Sequence, residues 1–346
     1  MKNFGINGFG RIGRTSLRVW WDKHTEELDL KVINTSGSMD IEDWVHLLKY
    51  DSNYGVFSQT ISYTKQQSTK EVTDENPVLG LIHIGQKNIL VTAQRDPAKI
   101  PWGTNGVEVV IESTGIFISK EKALLHIQGG AKKVIISAPP KGEGIPTGII
   151  GVNTFDTTQL VDSNASCTTN SVGPVAQVMH EFFGIQKAML TTIHSYTDDQ
   201  NLHDNSHRDM RRARAAALNI VPTSTGAAIA VTEVIPELKG LFDGLAVRVP
   251  TPVGSLSDMV FVTKRKTTKE EVNRALIAAS QDKRWAGILA VVDEPIVSSD
   301  IVGRSESSIV DLALTNVVGG DLVKVVAWYD NEFGYCNRLI EQISNV

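Results

Sequence analysis

The feature that most constrains this chain is Gly8-Phe9-Gly10-Arg11-Ile12-Gly13, set between an apolar run over 4–7 and a stretch of helical spacing over 13–21. Glycines at these intervals let the backbone turn tightly out of a strand. They also let a diphosphate meet free N–H groups at the positive end of the next helix. An ordinary glycine turn is the competing reading. The strand before and the amphipathic pattern after, with Ile12, Leu17, Val19 and Trp20 apolar, favour a dinucleotide site at Gly8, Gly10 and Gly13.

Short β-rich runs then alternate with helical stretches, as in βαβ units. Residues 30–33, 107–111 and 134–136 are apolar except for Lys31 and Glu108 and rich in β-branched side chains, which suits a parallel sheet covered on both faces. Residues 63–77 are polar and read as a surface hairpin or loop, and Pro139-Pro140-Lys141-Gly142 marks a connection. The apolar runs 245–249, 259–262 and 322–328 predict a second domain on a larger, mixed or antiparallel sheet. Thr268 with Glu271 fits a capping box for a helix running to Ala279.

The 346 residues suffice for two domains, and 41% apolar with 21% charged residues excludes a disordered or disulfide-stapled chain. A net charge of −5 gives no general attraction to nucleic acid or anionic lipid. No apolar stretch approaches the roughly 20 residues of a membrane span. Two cysteines, Cys167 and Cys336, make no disulfide framework, and the opening residues lack signal-peptide character, so the cytoplasm is the expected compartment.

Ser163-Asn164-Ala165-Ser166-Cys167-Thr168-Thr169-Asn170 leads into an amphipathic pattern (Val172, Val175, Val178, Met179, Phe182) that stops at Gly184. Cys167 is thereby placed at a helix N-terminus, where dipole and amides are expected to lower a thiol pKa. A small buried hydrophobe is the alternative for a lone cysteine. His194 ends a strand over 188–193 and is the candidate partner, because a helix–turn–strand return brings it back toward Cys167. Cys336 reads as structural. No Cys or His spacing suits a metal, since His203 and His207 lie in an irregular loop.

The second strand ends in Asn34-Thr35-Ser36-Gly37, without the carboxylate that commonly bonds a ribose 2′-hydroxyl. Hydroxyls at Thr35 and Ser36 can donate to a 2′-phosphate, which favours NADP with NAD also accepted; a polar turn tolerant of both is the plainer alternative. Arg211-Arg212-Ala213-Arg214 is either a solvated stripe or an anion site. Thr223-Ser224-Thr225-Gly226 offers hydroxyls and amides in a turn. Arg248, inside an apolar strand, needs a partner or a site for its head group.

These motifs, with Ile6 to Arg14, His46-Leu47-Leu48-Lys49-Tyr50-Asp51 and Trp328-Tyr329-Asp330-Asn331-Glu332-Phe333-Gly334-Tyr335, run in order through nearly the whole chain. The chain resembles the phosphorylating glyceraldehyde-3-phosphate dehydrogenase family, most specifically over residues 163–170. The resemblance implies an α/β fold: a Rossmann dinucleotide-binding domain over 1–166, completed by a C-terminal helix over 332–346, and an α+β catalytic domain over 167–331 on a mixed, largely antiparallel sheet. It implies a homotetramer that turns over glyceraldehyde 3-phosphate and inorganic phosphate in glycolysis, gluconeogenesis or the Calvin cycle, with no requirement for nucleic acid, membrane or metal. Cys167 matches the nucleophile and His194 its ion-pair partner and acid/base. Arg11, Ile12, Arg95, Ser137 and Asn331 resemble cofactor contacts. Ser166, Thr168, Thr197, Arg212, Thr225, Gly226 and Arg248 resemble substrate and phosphate contacts.

Departures from the NAD-specific members are informative. Those carry Asp where Thr35 stands, a hydrophobic residue at Ser36 and usually Pro at Ser206. Serine at 206 resembles NADP-using members, in which it reaches the 2′-phosphate from a neighbouring subunit. Val253-Gly254 departs from the more usual pattern, residues 63–77 are longer than usual, and Ser171 replaces a frequent cysteine. Two competing readings are an erythrose-4-phosphate dehydrogenase and a secondary role in binding RNA or protein through the cofactor cleft.

Overall fold

The computed structural model describes residues 1–346, which form two compact units. One comprises Met1–Thr147, Phe155–Asn164 and Cys336–Val346; the other comprises Gly148–Thr154 and Ala165–Tyr335. The sequence-based division at 166/167 differs in detail. Ala165 and Ser166 pack with the nucleophile's helix, and residues 148–154 cross over to line that helix's apolar face, where Ile149 and Val152 meet Gly173.

The first unit runs β1 (Lys2–Asn7), α1 (Arg11–Lys23), β2 (Leu28–Thr35), α2 (Ile41–Lys49), a small ribbon of β3 (Tyr50–Asp51) and β4 (Gly55–Val56), then β5 (Ile61–Lys65), β6 (Val78–Ile84), β7 (Lys87–Ala93), β8 (Val109–Glu112), α3 (Lys120–Gln128), β9 (Lys133–Ile136) and β10 (Val161–Ser163). Its sheet has the order β10-β9-β8-β1-β2-β7-β6-β5. The strands from β10 to β7 are parallel, and β6 and β5 add an antiparallel edge. Parallel strands covered on both faces must be apolar on both, and every residue of β8 and β9 is buried. The order of strands reverses at β1, so the crevice of the sheet opens beyond Asn7, where the glycines begin. The polar stretch 63–77 is a hairpin in part: Tyr63, Thr64 and Lys65 pair with β6 before the chain leaves the sheet.

The second unit runs α4 (Cys167–Phe183), β11 (Ile185–Ser195), β12 (Val221–Ser224), α5 (Ala227–Val234), β13 (Phe242–Val249), β14 (Ser255–Thr263), α6 (Lys269–Ser280), β15 (Leu289–Val292), β16 (Ser308–Asp311), β17 (Asn316–Val318) and β18 (Leu322–Tyr329). The sheet order is β12-β13-β11-β14-β18-β16-β15, with β17 on β18. Only β11·β13 and β15·β16 are parallel, so the sheet is mixed and largely antiparallel, as expected. One face is buried under helices: Val172, Val175, Met179 and Phe183 of α4 join Leu190, Met259, Phe261 and Val325 in a single core. The other face leaves Met189 and Leu245 exposed. α6 is capped by Thr268 Oγ1, which accepts the Glu271 N–H at 3.3 Å. The capping box forms one way only, because the Glu271 carboxylate is taken by Thr267 Oγ1 and Arg265.

The last helix, α7 (Phe333–Asn345), carries the chain back to the first unit from Cys336 onward. Lys2 Nζ donates to Ile343 O at 3.0 Å, Lys23 Nζ to Asn337 Oδ1 at 2.8 Å and Asn164 Nδ2 to Gln342 Oε1 at 2.6 Å. Cys336 is fully buried against the Ile12 carbonyl, which fits the structural reading given to it. No helix is long and apolar enough to cross a membrane.

Trp20 anchors α1 on the sheet; it is fully buried and its Nε1 donates to Leu28 O at 2.9 Å. Trp20→Ala is expected to cost the first unit about 3–5 kcal/mol in denaturant unfolding. A loss below about 1 kcal/mol would show that the surrounding side chains close the cavity.

Candidate active site

The glycine turn of the first unit has geometry that only glycine permits. Gly8 has φ +97°, and a Cβ on Gly13 would lie 2.1 Å from Gly8 O. Gly10 is the N-cap of α1 with open space around it and no side-chain cap, and the first turn of α1 carries no acidic residue. The helix start therefore keeps donors and positive potential for an anion, a cradle that fits a dinucleotide diphosphate. Ile12 contributes to this turn with its backbone. Arg11 does not reach outward alone: its guanidinium grips Asp51 at 2.5 and 3.2 Å.

A buried polar network that sequence reasoning missed sets this turn. Glu112 ends β8 with 1% exposure. It accepts from Asn7 Nδ2 at 2.5 Å and Thr114 N at 2.7 Å, and it pairs with His126 Nε2 at 3.0 Å. Trp102 Nε1 donates to His126 Nδ1 at 3.1 Å, which leaves the ring hydrogen on Nε2, facing the carboxylate. Asn7 Oδ1 in turn accepts from Asn34 Nδ2, and Asn34 O accepts the Gly8 N–H. The signal, a lone Glu and a lone His 14 residues apart, has no local pattern.

Thr35 lies at the expected strand end but is buried, and its hydroxyl donates to Thr92 O. Ser36 is exposed and shares a cavity of about 290 Å³ with Gly37 and Arg95. Ser137 follows β9, its N–H bonded to Glu112 O. Ser206 is exposed in the irregular segment of the second unit. Asn331 is 5% exposed; its Oδ1 accepts from Gly254 N at 3.1 Å and Ser255 Oγ at 2.9 Å, which fixes the amide and leaves its N–H₂ to donate. These two bonds give the unusual Val253-Gly254 segment a role, since Gly254 takes φ +92° to present that N–H.

Cys167 opens α4 after a sharp turn. Ala165 has φ +58°, the one non-glycine residue in the left-handed region, and its carbonyl accepts from Tyr335 Oη at 3.1 Å. Ser166 is the cap, accepting the Thr169 N–H at 3.1 Å. His194, the penultimate residue of β11, comes to 3.4 Å (Nε2 to Sγ) from Cys167. Its Nδ1 lies 2.7 Å from Ser195 O; a carbonyl only accepts, so Nδ1 carries the hydrogen and Nε2 presents its lone pair to sulfur. Arg248 is the register partner of His194 across β11·β13. Its Nη1 donates to Thr197 Oγ1 at 3.1 Å and Ser195 O at 3.2 Å. The head group of the arginine in the apolar strand thus finds partners through Nη1, while its Nε stays buried without one.

Tyr329 was quoted in a motif but given no task. Its buried hydroxyl bridges Thr168 Oγ1 and Thr192 Oγ1, each at 2.8 Å, and its ring meets the His194 ring edge-on. The basic cluster does not act as a block. Arg212 bonds Asp199 and Thr223, Arg214 bonds Asp204, and Arg211 turns to Pro222 O. Thr223 and Ser224 belong to β12 rather than to a turn, and Gly226 is the uncapped N-cap of α5 after Thr225.

The expected lowering of the Cys167 thiol is not met. Burial pushes it up, against Arg248 and the helix-start amides, which pull it down. Burial, with Arg248 adding to it, pushes His194 down to about 3. Both shifts favour the neutral forms, so the proton rests on Sγ with the Nε2 lone pair facing it.

A doubly wound sheet with a diphosphate cradle, and a cysteine–histidine pair beside an arginine, define a nicotinamide-dependent oxidoreductase. Residues 2–120 match the family model of the glyceraldehyde 3-phosphate dehydrogenase NAD binding domain, and residues 166–331 match that of the C-terminal domain. Glyceraldehyde-3-phosphate dehydrogenase 2 of Streptomyces arenae is 50% identical over 340 residues, covering 97% of this chain and 96% of the relative. Glyceraldehyde-3-phosphate dehydrogenase A, chloroplastic, of Zea mays is 49% identical over 339 residues, covering 97% and 80%. The chain belongs to the glyceraldehyde-3-phosphate dehydrogenase family, whose members are NAD(P)-dependent phosphorylating oxidoreductases.

The shared proton makes a prediction. Alkylation of Cys167 by iodoacetamide is expected to stay flat between about pH 6 and 8, because His194 is neutral there and takes the thiol proton internally. In His194→Asn the thiol stands alone with a raised pKa, so the rate should climb about tenfold per pH unit. A wild-type rate with that same slope would refute the coupling.

Proposed function

We propose that this chain is a phosphorylating glyceraldehyde-3-phosphate dehydrogenase that prefers NADP, uses Cys167 as nucleophile and uses His194 as acid/base. The observation that carries the reading is the 3.4 Å approach of His194 Nε2 to Cys167 Sγ beside Arg248. Sγ attacks the aldehyde carbon as its proton passes to Nε2, and the new alkoxide is protonated from Nε2 to give a thiohemiacetal. A bound nicotinamide contributes a two-electron acceptor for the carbon-bound hydrogen of that adduct. As the adduct is oxidised, His194 takes the hydroxyl proton, and the product is a thioester on Cys167. Inorganic phosphate then attacks the acyl carbon and the C–S bond breaks. The thiolate regains its proton from His194, and 1,3-bisphosphoglycerate leaves.

Two anions must be held, the substrate phosphate and the attacking phosphate. Arg248 with Thr197, Arg212, and the amides at Thr225 and Gly226 are the groups assigned to them, with Ser166 and Thr168 flanking the nucleophile. The cofactor is assigned to the Gly8–Gly13 turn with Ile12, to Ser137, and to the amide N–H₂ of Asn331. Ser36, Arg95 and Ser206 are assigned to a 2′-phosphate. The case for NADP rests on the missing carboxylate at the end of β2 and on the free guanidinium of Arg95. The burial of Thr35 passes its expected part to Ser36. We infer a homotetramer: Leu202, Met210, Leu218 and Ile220 are each more than 70% exposed on one segment of the second unit, an apolar surface that suits covering by another copy. The cytoplasm is the compartment proposed.

Cys167→Ser is expected to lower phosphate-dependent NADP reduction by glyceraldehyde 3-phosphate roughly 10³-fold or more while cofactor binding persists. Wild-type kcat/KM for NADP should equal or exceed that for NAD. Activity retained in the variant would remove Cys167 from the mechanism, and a strong NAD bias would reverse the cofactor assignment.

A further inference from the structure

Residues 66–77, the polar excursion between β5 and β6, take no part in the chemistry above, yet they form a built structure. Asp40 accepts from Thr69 N at 2.6 Å and from Lys65 Nζ at 2.7 Å. Gln67 Nε2 donates to Asn76 O at 2.8 Å and Val78 O at 2.7 Å, and Asn76 N donates to Thr73 Oγ1 at 3.1 Å. These bonds carry Thr69, Thr73 and Asp74 into the lining of the cavity of about 290 Å³ that Ser36, Gly37 and Arg95 also line.

The chemistry of this lining is complementary to an anion. Arg95 is exposed and has no carboxylate partner. Thr73 Oγ1 accepts the Asn76 N–H, which leaves its own hydrogen to donate. Asp74 is the one carboxylate lining the cavity, and Lys99 Nζ bonds it while Gln94 Nε2 holds its backbone carbonyl at 3.4 Å. Lys99 keeps the Asp74 carboxyl below its ordinary range, so the side chain is charged at neutral pH.

We propose that segment 66–77 is the selectivity element for the 2′ position of a bound adenosine ribose, with Thr73 and Arg95 donating to a 2′-phosphate and Lys99 neutralising the carboxylate that would otherwise repel it. The inference rests on the dinucleotide reading of the first unit and deepens it. The end of β2 offers no carboxylate to a 2′-hydroxyl, and the only one in the cavity arrives from the excursion already paired. Discrimination at this site is then set by the Asp74–Lys99 ion pair rather than by a strand-end residue.

The test is calorimetric titration of the intact protein with adenosine 2′,5′-bisphosphate and with adenosine 5′-monophosphate, neither of which undergoes the reaction. At low ionic strength, unit charges at a half-wet surface shift affinity by several-fold to about tenfold. Asp74→Asn is expected to tighten the bisphosphate by about three- to tenfold and Lys99→Gln to weaken it by as much. The double variant should return to within about twofold of wild type, and Thr73→Val should weaken the bisphosphate alone. The monophosphate should hold within about twofold throughout. Variants that move both nucleotides equally, or neither, overturn the assignment to the excursion. A wild-type protein that binds neither nucleotide overturns the dinucleotide reading beneath it.

Discussion

The close pairing of a half-buried Cys167 with a buried His194 is the constraint on which the rest of the catalytic unit depends. Separate charges on sulfur and imidazole are both penalised there, so neither group titrates freely in the neutral range. What remains is internal transfer across 3.4 Å, and the surroundings are arranged to permit it. Ser195 O fixes the tautomer, Arg248 stands across the strand register from the ring, and Tyr329 ties Thr168 to Thr192 so that helix start and strand end stay aligned. Preorganisation of this kind limits the reorganisation left for the reaction itself.

The first unit solves a related problem by opposite means. There a carboxyl group is buried outright, and it is tolerated because Asn7, Thr114 and His126 all face it. Its function in the fold is to hold Asn7, and through Asn34 to hold the Gly8 amide, before any ligand arrives. The glycines supply permissive backbone; the polar network beneath removes the freedom that permissiveness would leave.

Much of the architecture was legible because it is written locally. Glycines at 8, 10 and 13 after an apolar run, β-branched runs at 109–111 and 134–136, and Gly184 closing α4 are signals within a few residues of the structure they make. The pairing of Cys167 with His194 was legible for the same reason, since a helix followed by a strand folds back on itself. What was not legible depends on partners distant in sequence. Glu112 with His126, Tyr329 with Thr168, and Gly254 with Asn331 meet only in the folded sheets. The direction of the thiol shift failed similarly, because helix-start amides are a local cue while burial is a property of the whole unit. Thr35 was misjudged as a donor because its exposure depends on β7, where Thr92 captures its hydroxyl.

The closing helix α7 has a bearing on how the molecule is made. Lys2, Lys23 and Asn164 find their partners on residues 337–343, so the first unit is closed by a segment that follows the whole of the second unit in the chain. Its first strand and α1 precede by some 300 residues the groups that accept from Lys2 and Lys23. The second unit, by contrast, is nearly contiguous and has all its strands in hand first. Closure of the first unit is therefore long-range in sequence, the kind of contact whose loop entropy must be met before it stabilises anything and which slows folding.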